Sequence, residues 1–142
     1  VYTLEPFQGG HMGPPLQENY RLPVNWYRNL NFSNMDHHAT RLIVYGSLAP
    51  GGVNAFMLAG LVGEWYPCRI RGRMGTYLGF KSFRYDPQGP EYPAWMLESA
   101  DLPRIIPELD DFEGEAYERV VIPARVSGRW VMAQIYAGKY ED

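Results

Sequence analysis

Two separated segments hold the residues best suited to chemistry. In Tyr45-Gly46-Ser47-Leu48 a glycine follows an apolar run, and bare backbone N–H groups in such a turn can form a nest for carboxylate oxygens. In Leu109-Asp110-Asp111-Phe112-Glu113-Gly114 the carboxylate of Glu113 stands between an aromatic residue and a glycine. Burial against Phe112 or Tyr117 would raise its pKa towards neutrality, and like charges at Asp110, Asp111 and Glu115 would push the same way. An anion cradle and a carboxylate poised to carry a proton are together enough for acid–base catalysis. Each segment also has an ordinary reading. The first is then a strand-to-helix turn, and the second an acidic helix end on the surface.

Other polar groups point less far. Cys68 is the single cysteine, so it has no disulfide partner and no second thiol for zinc; packing is its expected role. The histidines are His11, His37 and His38, all early in the chain. Asp36-His37-His38 could ligate a metal, but without further ligands it reads as loop. The acidic run around Glu113 lacks the spacing of a calcium loop, so no metal is expected. Arg69, Arg71 and Arg73 alternate and share one strand face, either solvated or anion-binding. No Walker loop, dinucleotide fingerprint or Ser-His-Asp order is present, and no cofactor is expected.

The chain has 142 residues, enough for one domain with a single core. Its net charge of −3 and lack of a basic stripe argue against nucleic acid or an anionic membrane as partner. No apolar run is long enough to span a membrane and no signal peptide is visible, so a cytoplasmic location is expected; nothing argues for a self-complementary seam, so a monomer is the expectation.

The elements that must position the two segments begin near residue 40. Residues 1–39 are rich in Pro and Gly with no sustained period and read as an irregular arm, its aromatics suggesting partial packing on the body. The chain opens at Val1 rather than Met, and Gly10-His11-Met12 is compatible with a vector scar. Residues 40–142 form the domain. Strands are expected at Arg41–Tyr45, Glu64–Tyr77, Phe80–Tyr85, Ala94–Leu97, Arg119–Val126 and Trp130–Tyr136, the last two joined by a Ser127-Gly128 turn. Helices are expected at Asn54–Leu61, capped by Asn54, and at Asp101–Leu109, with Ile105, Ile106 and Leu109 inward. This is an α+β domain with a small twisted, barrel-like sheet of five or six strands and short helices.

Taken together, Val44-Tyr45-Gly46-Ser47-Leu48 with Pro50-Gly51 and Asn54, then Leu109-Asp110-x-Phe112-Glu113-Gly114-x-x-Tyr117-x-Arg119, resemble the gamma-glutamylcyclotransferase-like superfamily. The likeness is strongest to its small bacterial and gamma-glutamylamine-type members and covers roughly residues 41–137. Asp86-Pro87, Trp95-Met96-Leu97-Glu98-Ser99 and the ending Trp130–Tyr136 belong to the same pattern. The resemblance implies a small β-barrel flanked by helices with one pocket at its mouth. It implies that Tyr45, Gly46, Ser47 and Leu48 hold the amino-acid end of a gamma-glutamyl group through backbone amides. It implies that Glu113 is the catalytic acid/base, and that Tyr117 and Arg119 support its turn. The implied reaction converts a gamma-glutamyl amine or amide to 5-oxoproline and free amine. A non-catalytic binding or regulatory module using the same pocket is the rival, and docking of a partner through the arm is a third reading. Gly51–Phe56 lacks a polar residue that relatives often carry after the Asn, which leaves the leaving-group side open.

Overall fold

The computed structural model describes residues 37–142. The expected arm over 1–39 lies outside them except for His37 to Ala39, as do His11 and Gly10-His11-Met12. The elements are β1 (Arg41–Val44), α1 (Phe56–Ala59), β2 (Glu64–Tyr77), β3 (Phe80–Tyr85), β4 (Glu91–Glu98), α2 (Leu102–Glu113), β5 (Tyr117–Val126) and β6 (Arg129–Gly138). Single 3-10 turns at His38–Thr40 and Gly114–Ala116 lead into β1 and β5.

Five strands close into a barrel in the order β2-β4-β1-β6-β5 and back to β2. Closure is made where Arg69 of β2 faces Arg125 of β5. β3 adds a sixth strand on the free side of β2. β1 and β6 run parallel, with Leu42 opposite Gln134, and every other pair is antiparallel. This is the small α+β barrel expected from the strand pattern.

β1 is buried along its whole length. A strand covered on both faces reads as an unbroken apolar run, which is how Leu42-Ile43-Val44 appears in the sequence. Ile43 points into the barrel with Ile70, Phe83, Met96, Ile122 and Ile135. Leu42 and Val44 point outward and pack with Leu97, Leu102, Ile106 and Leu109 under α2. Apolar residues three and four apart give α2 its inward stripe.

Three local expectations need correction. The first helix covers only Phe56–Ala59, and Asn54 does not cap it. The Asn54 side chain instead donates to Ser47 Oγ at 2.9 Å, and its backbone N–H to the Ser47 carbonyl at 2.8 Å. It therefore clasps the loop after β1. The second helix does not stop at Leu109 but runs on to Glu113, where Gly114 ends it at φ 71° with its N–H on the Asp110 carbonyl. Glu113 is thus the last helical residue, not one beyond the helix. The strand expected at Ala94–Leu97 extends over Glu91–Glu98 because β2 offers it a ladder from Glu64 to Arg71. Among the described residues, no helix is long and apolar enough to cross a membrane.

Candidate active site

Helix α2 delivers Glu113 by simple periodicity. Leu102, Ile106 and Leu109 lie on the buried stripe, and the next place on that stripe is 113. A carboxylate occupies the position where an apolar residue would continue the core. Phe112, one step round the helix, is 43% exposed and lines the same cavity as Glu113.

The loop after β1 forms the facing part of the site. Gly52 packs so closely that a Cβ there would sit 2.4 Å from the Ser47 carbonyl oxygen. With Asn54 clasping Ser47 from the other side, the turn is held tightly closed. Among the described residues, the N–H groups of Gly46, Ser47 and Leu48 donate no hydrogen bond. Ser47 Oγ accepts from Asn54, which leaves its own proton for another acceptor. Tyr45 is different in kind. Its hydroxyl donates to the Tyr136 carbonyl at 2.6 Å and accepts from Phe83 N–H at 3.3 Å, anchoring the loop to β6 and β3.

All five residues singled out from the sequence meet on one cavity of about 450 Å³, where β1 and β6 end. Tyr45, Gly46, Ser47 and Leu48 come from the loop, and Glu113 from the end of α2. Among the described lining residues, Glu113 is the sole carboxylate and Lys81 the sole cation. Tyrosines 45, 77, 117 and 136 supply much of the remaining wall. Among the described residues, no three of His, Cys, Asp and Glu gather as metal ligands would. Cys68 is buried, and that burial pushes its thiol pKa up.

Burial alone raises Glu113 from 4.5 to about 7. The like-charge repulsion expected from its neighbours plays no part. Asp111 and Glu115 are exposed to water, which screens them, and Asp110 is neutralised. Arg119 grips both oxygens of Asp110, at 2.9 and 3.0 Å, and the Tyr136 hydroxyl donates to one of them at 2.7 Å. The Arg119 bonds chiefly, with that hydroxyl, hold Asp110 below the usual carboxylate range. Arg119 also donates to Gln134 Oε1 at 2.8 Å, while the Gln134 amide donates to the carbonyls of His38, Ala39 and Arg41. The last turn of α2 is therefore braced to β5, β6 and the entry to β1. The Tyr117 hydroxyl donates to the Lys81 carbonyl at 2.8 Å and ties β5 to β3.

Lys81, Tyr77, Leu78 and Phe80 reach the cavity from the β2–β3 hairpin, and sequence reasoning did not single them out. A signal was there. Leu78 and Phe80 flank Gly79 at a hairpin tip yet are apolar, and both are exposed, at 70% and 61%. Exposed apolar side chains grouped at a tip mark a contact surface.

Solved structures share this backbone. YkqA from Bacillus subtilis matches with a TM-score of 0.59 at 20% identity, over 72% of this chain and 36% of its own. An Arabidopsis thaliana protein solved in solution matches with 0.59 at 20%, over 78% and 75%. An AIG2-like protein (GGACT) from Mus musculus matches with 0.53 at 18%, over 72% and 79%. The chain has their fold. At such identities the likeness is one of fold, and it is consistent with the gamma-glutamylcyclotransferase-like architecture that the sequence motifs imply. This chain spans little more than a third of YkqA, 36% of its length. No family model matches the sequence, and no curated protein matches it.

Proposed function

We propose that the chain is a cyclotransferase that converts a gamma-glutamyl amine or amide to 5-oxoproline and free amine. The observation that supports this most is the sharing of one cavity by two complementary features. One is Glu113, with its pKa near 7. The other is the set of unengaged N–H groups at Gly46, Ser47 and Leu48.

In this reading the loop amides hold the α-carboxylate of the glutamyl group, and the closed turn keeps them in place without reorganisation. The α-ammonium cannot attack until it loses a proton, which the Glu113 carboxylate takes. The free amine then attacks the gamma-carbonyl carbon, forming the ring N–C bond and a tetrahedral intermediate. Holding the substrate folded makes this attack intramolecular and close. Glu113 returns its proton to the departing nitrogen as the old C–N bond breaks. In sum two protons pass from the α-nitrogen to the departing nitrogen, which leaves as an ammonium ion. A base with a pKa near neutrality suits both transfers, worth about 10²–10⁴ in rate. The step as written uses no metal or cofactor.

The test is 5-oxoproline release from a panel of gamma-glutamyl compounds by the native protein and by Glu113→Gln. Release by the native protein that the substitution abolishes is the expected result. Equal release by both would remove Glu113 from the mechanism. Specific 5-oxoproline binding with no turnover of any compound would favour the binding module instead.

A further inference from the structure

The cavity that holds Glu113 has a neighbour. A second, more open cavity of about 1100 Å³ shares Val44, Tyr45, Gly46, Ser47, Phe80 and Lys81 with the first. The loop after β1 and the start of β3 therefore form a rim between two chambers. Lys81 stands on that rim, its ammonium 3.4 Å from the Tyr45 carbonyl oxygen.

The chemistry changes across the rim. The described lining of the second chamber contains Arg69, Lys81 and Arg125 and no carboxylate. Arg125 is buried, 3.9 Å from Glu91 and 4.9 Å over the Trp130 ring, so it contributes charge to the chamber more than direct contact. Arg69 and Lys81 are exposed, and neither pairs with a carboxylate among the described residues. Between them the wall is apolar, with Trp95, Val53, Pro50 and Phe80. Cations beside an apolar wall fit a ligand that carries an anionic group next to an apolar body.

We propose that the second chamber receives the amine half of the substrate, and that Arg69 and Lys81 select an amine bearing a carboxylate beside a bulky apolar side chain. The identity of the other half rests on the cyclotransferase reading. A gamma-glutamyl dipeptide with a free carboxylate has this chemistry; a gamma-glutamyl alkylamine lacks the anion.

Gamma-glutamyl-phenylalanine and its carboxamide differ only in the charge of the departing half, so they isolate the effect. Equilibrium binding of both to Glu113→Gln reads the subsite without the reaction. The free acid should bind about tenfold more tightly than the carboxamide. That ratio should fall to about one when Arg69→Gln and Lys81→Gln are added, with Arg69→Gln alone giving a partial fall. Equal affinities in the parent, a ratio unmoved by removing both cations, or no binding of either compound overturns the proposal. Release of 5-oxoproline from the same pair by the native protein tests the reaction separately. If neither is turned over while the acid binds preferentially, the reaction reading falls and the subsite stands.

Discussion

Replacing Glu113 with Gln tests the electrostatics of the site through stability as well as activity. Burial raises this carboxyl from 4.5 to about 7, so the folded chain binds its proton more tightly than the unfolded chain does. The sign follows from linkage: stability from this group is lost as pH rises from about 4.5 to about 7. At about 1.36 kcal/mol per pH unit, the full cost of ionisation in the fold is up to about 3 kcal/mol. Solvent reaching the carboxylate through the open cavity screens part of this, which brings the expected figure to about 1–3 kcal/mol. Gln keeps the shape and cannot ionise. Urea unfolding of both proteins should give nearly equal stabilities near pH 4 and a variant more stable by about 1–3 kcal/mol near pH 8. The same substitution should lower kcat by about 10²–10⁴. Native kcat/KM should decline as pH falls through about 7. A stability difference that does not change with pH would refute the account of Glu113 as a half-buried, pKa-raised base.

Other outcomes follow from the bracing of the site. Asp110→Ala and Arg119→Ala should show a coupling of about 0.5–1 kcal/mol in a double-mutant cycle, since the pair is partly exposed. Each should also lower kcat by about tenfold by loosening the last turn of α2, and additive stabilities with intact kcat would count against a bracing role. Tyr45→Phe removes the hydroxyl that joins the Tyr136 carbonyl to Phe83 N–H. It should cost about 1–3 kcal/mol in urea unfolding, and a neutral result would mean that the loop is anchored otherwise. Gly52→Ala would place a methyl group 2.4 Å from the Ser47 carbonyl oxygen. It should destabilise by about 1–3 kcal/mol and raise KM more than it lowers kcat; an unchanged KM would argue against a substrate-holding loop.

The sequence was legible where one local signal decides the structure. The β2 and β3 bounds agree with expectation because the Leu78-Gly79 turn divides them, both residues having positive φ. Ser127-Gly128 turns the final hairpin for the same reason, with φ of 53° and 76°. The last turn of α2 was not legible. Asp110 and Asp111 oppose the helix dipole near a C-terminus, so nothing local favours carrying the helix past Leu109. What permits the helix to continue is Arg119, nine residues later, which meets Asp110 only once β5 packs beside α2. Asn54 failed likewise: a good cap by type, it instead donates its side-chain amide to Ser47 Oγ, and Ala55 takes the cap position. The loop and Glu113 could be named from the sequence, but Lys81 could not. Its place on the rim depends on where a hairpin tip lies in three dimensions.

The position of β6 has a consequence for how the molecule comes into being. β6 is the last strand of the barrel, yet it lies between β1, the first, and β5. Until it enters, β1 and β5 each present an unpaired edge, and Asp110 and Tyr45 lack their Tyr136 partner. Closing the site thus joins segments from opposite ends of the domain, a non-local step of the kind that slows folding. A chain emerging from the ribosome could assemble the β2–β3–β4 sheet early. It would acquire its cavity only once β6 is inserted, as one event with barrel closure.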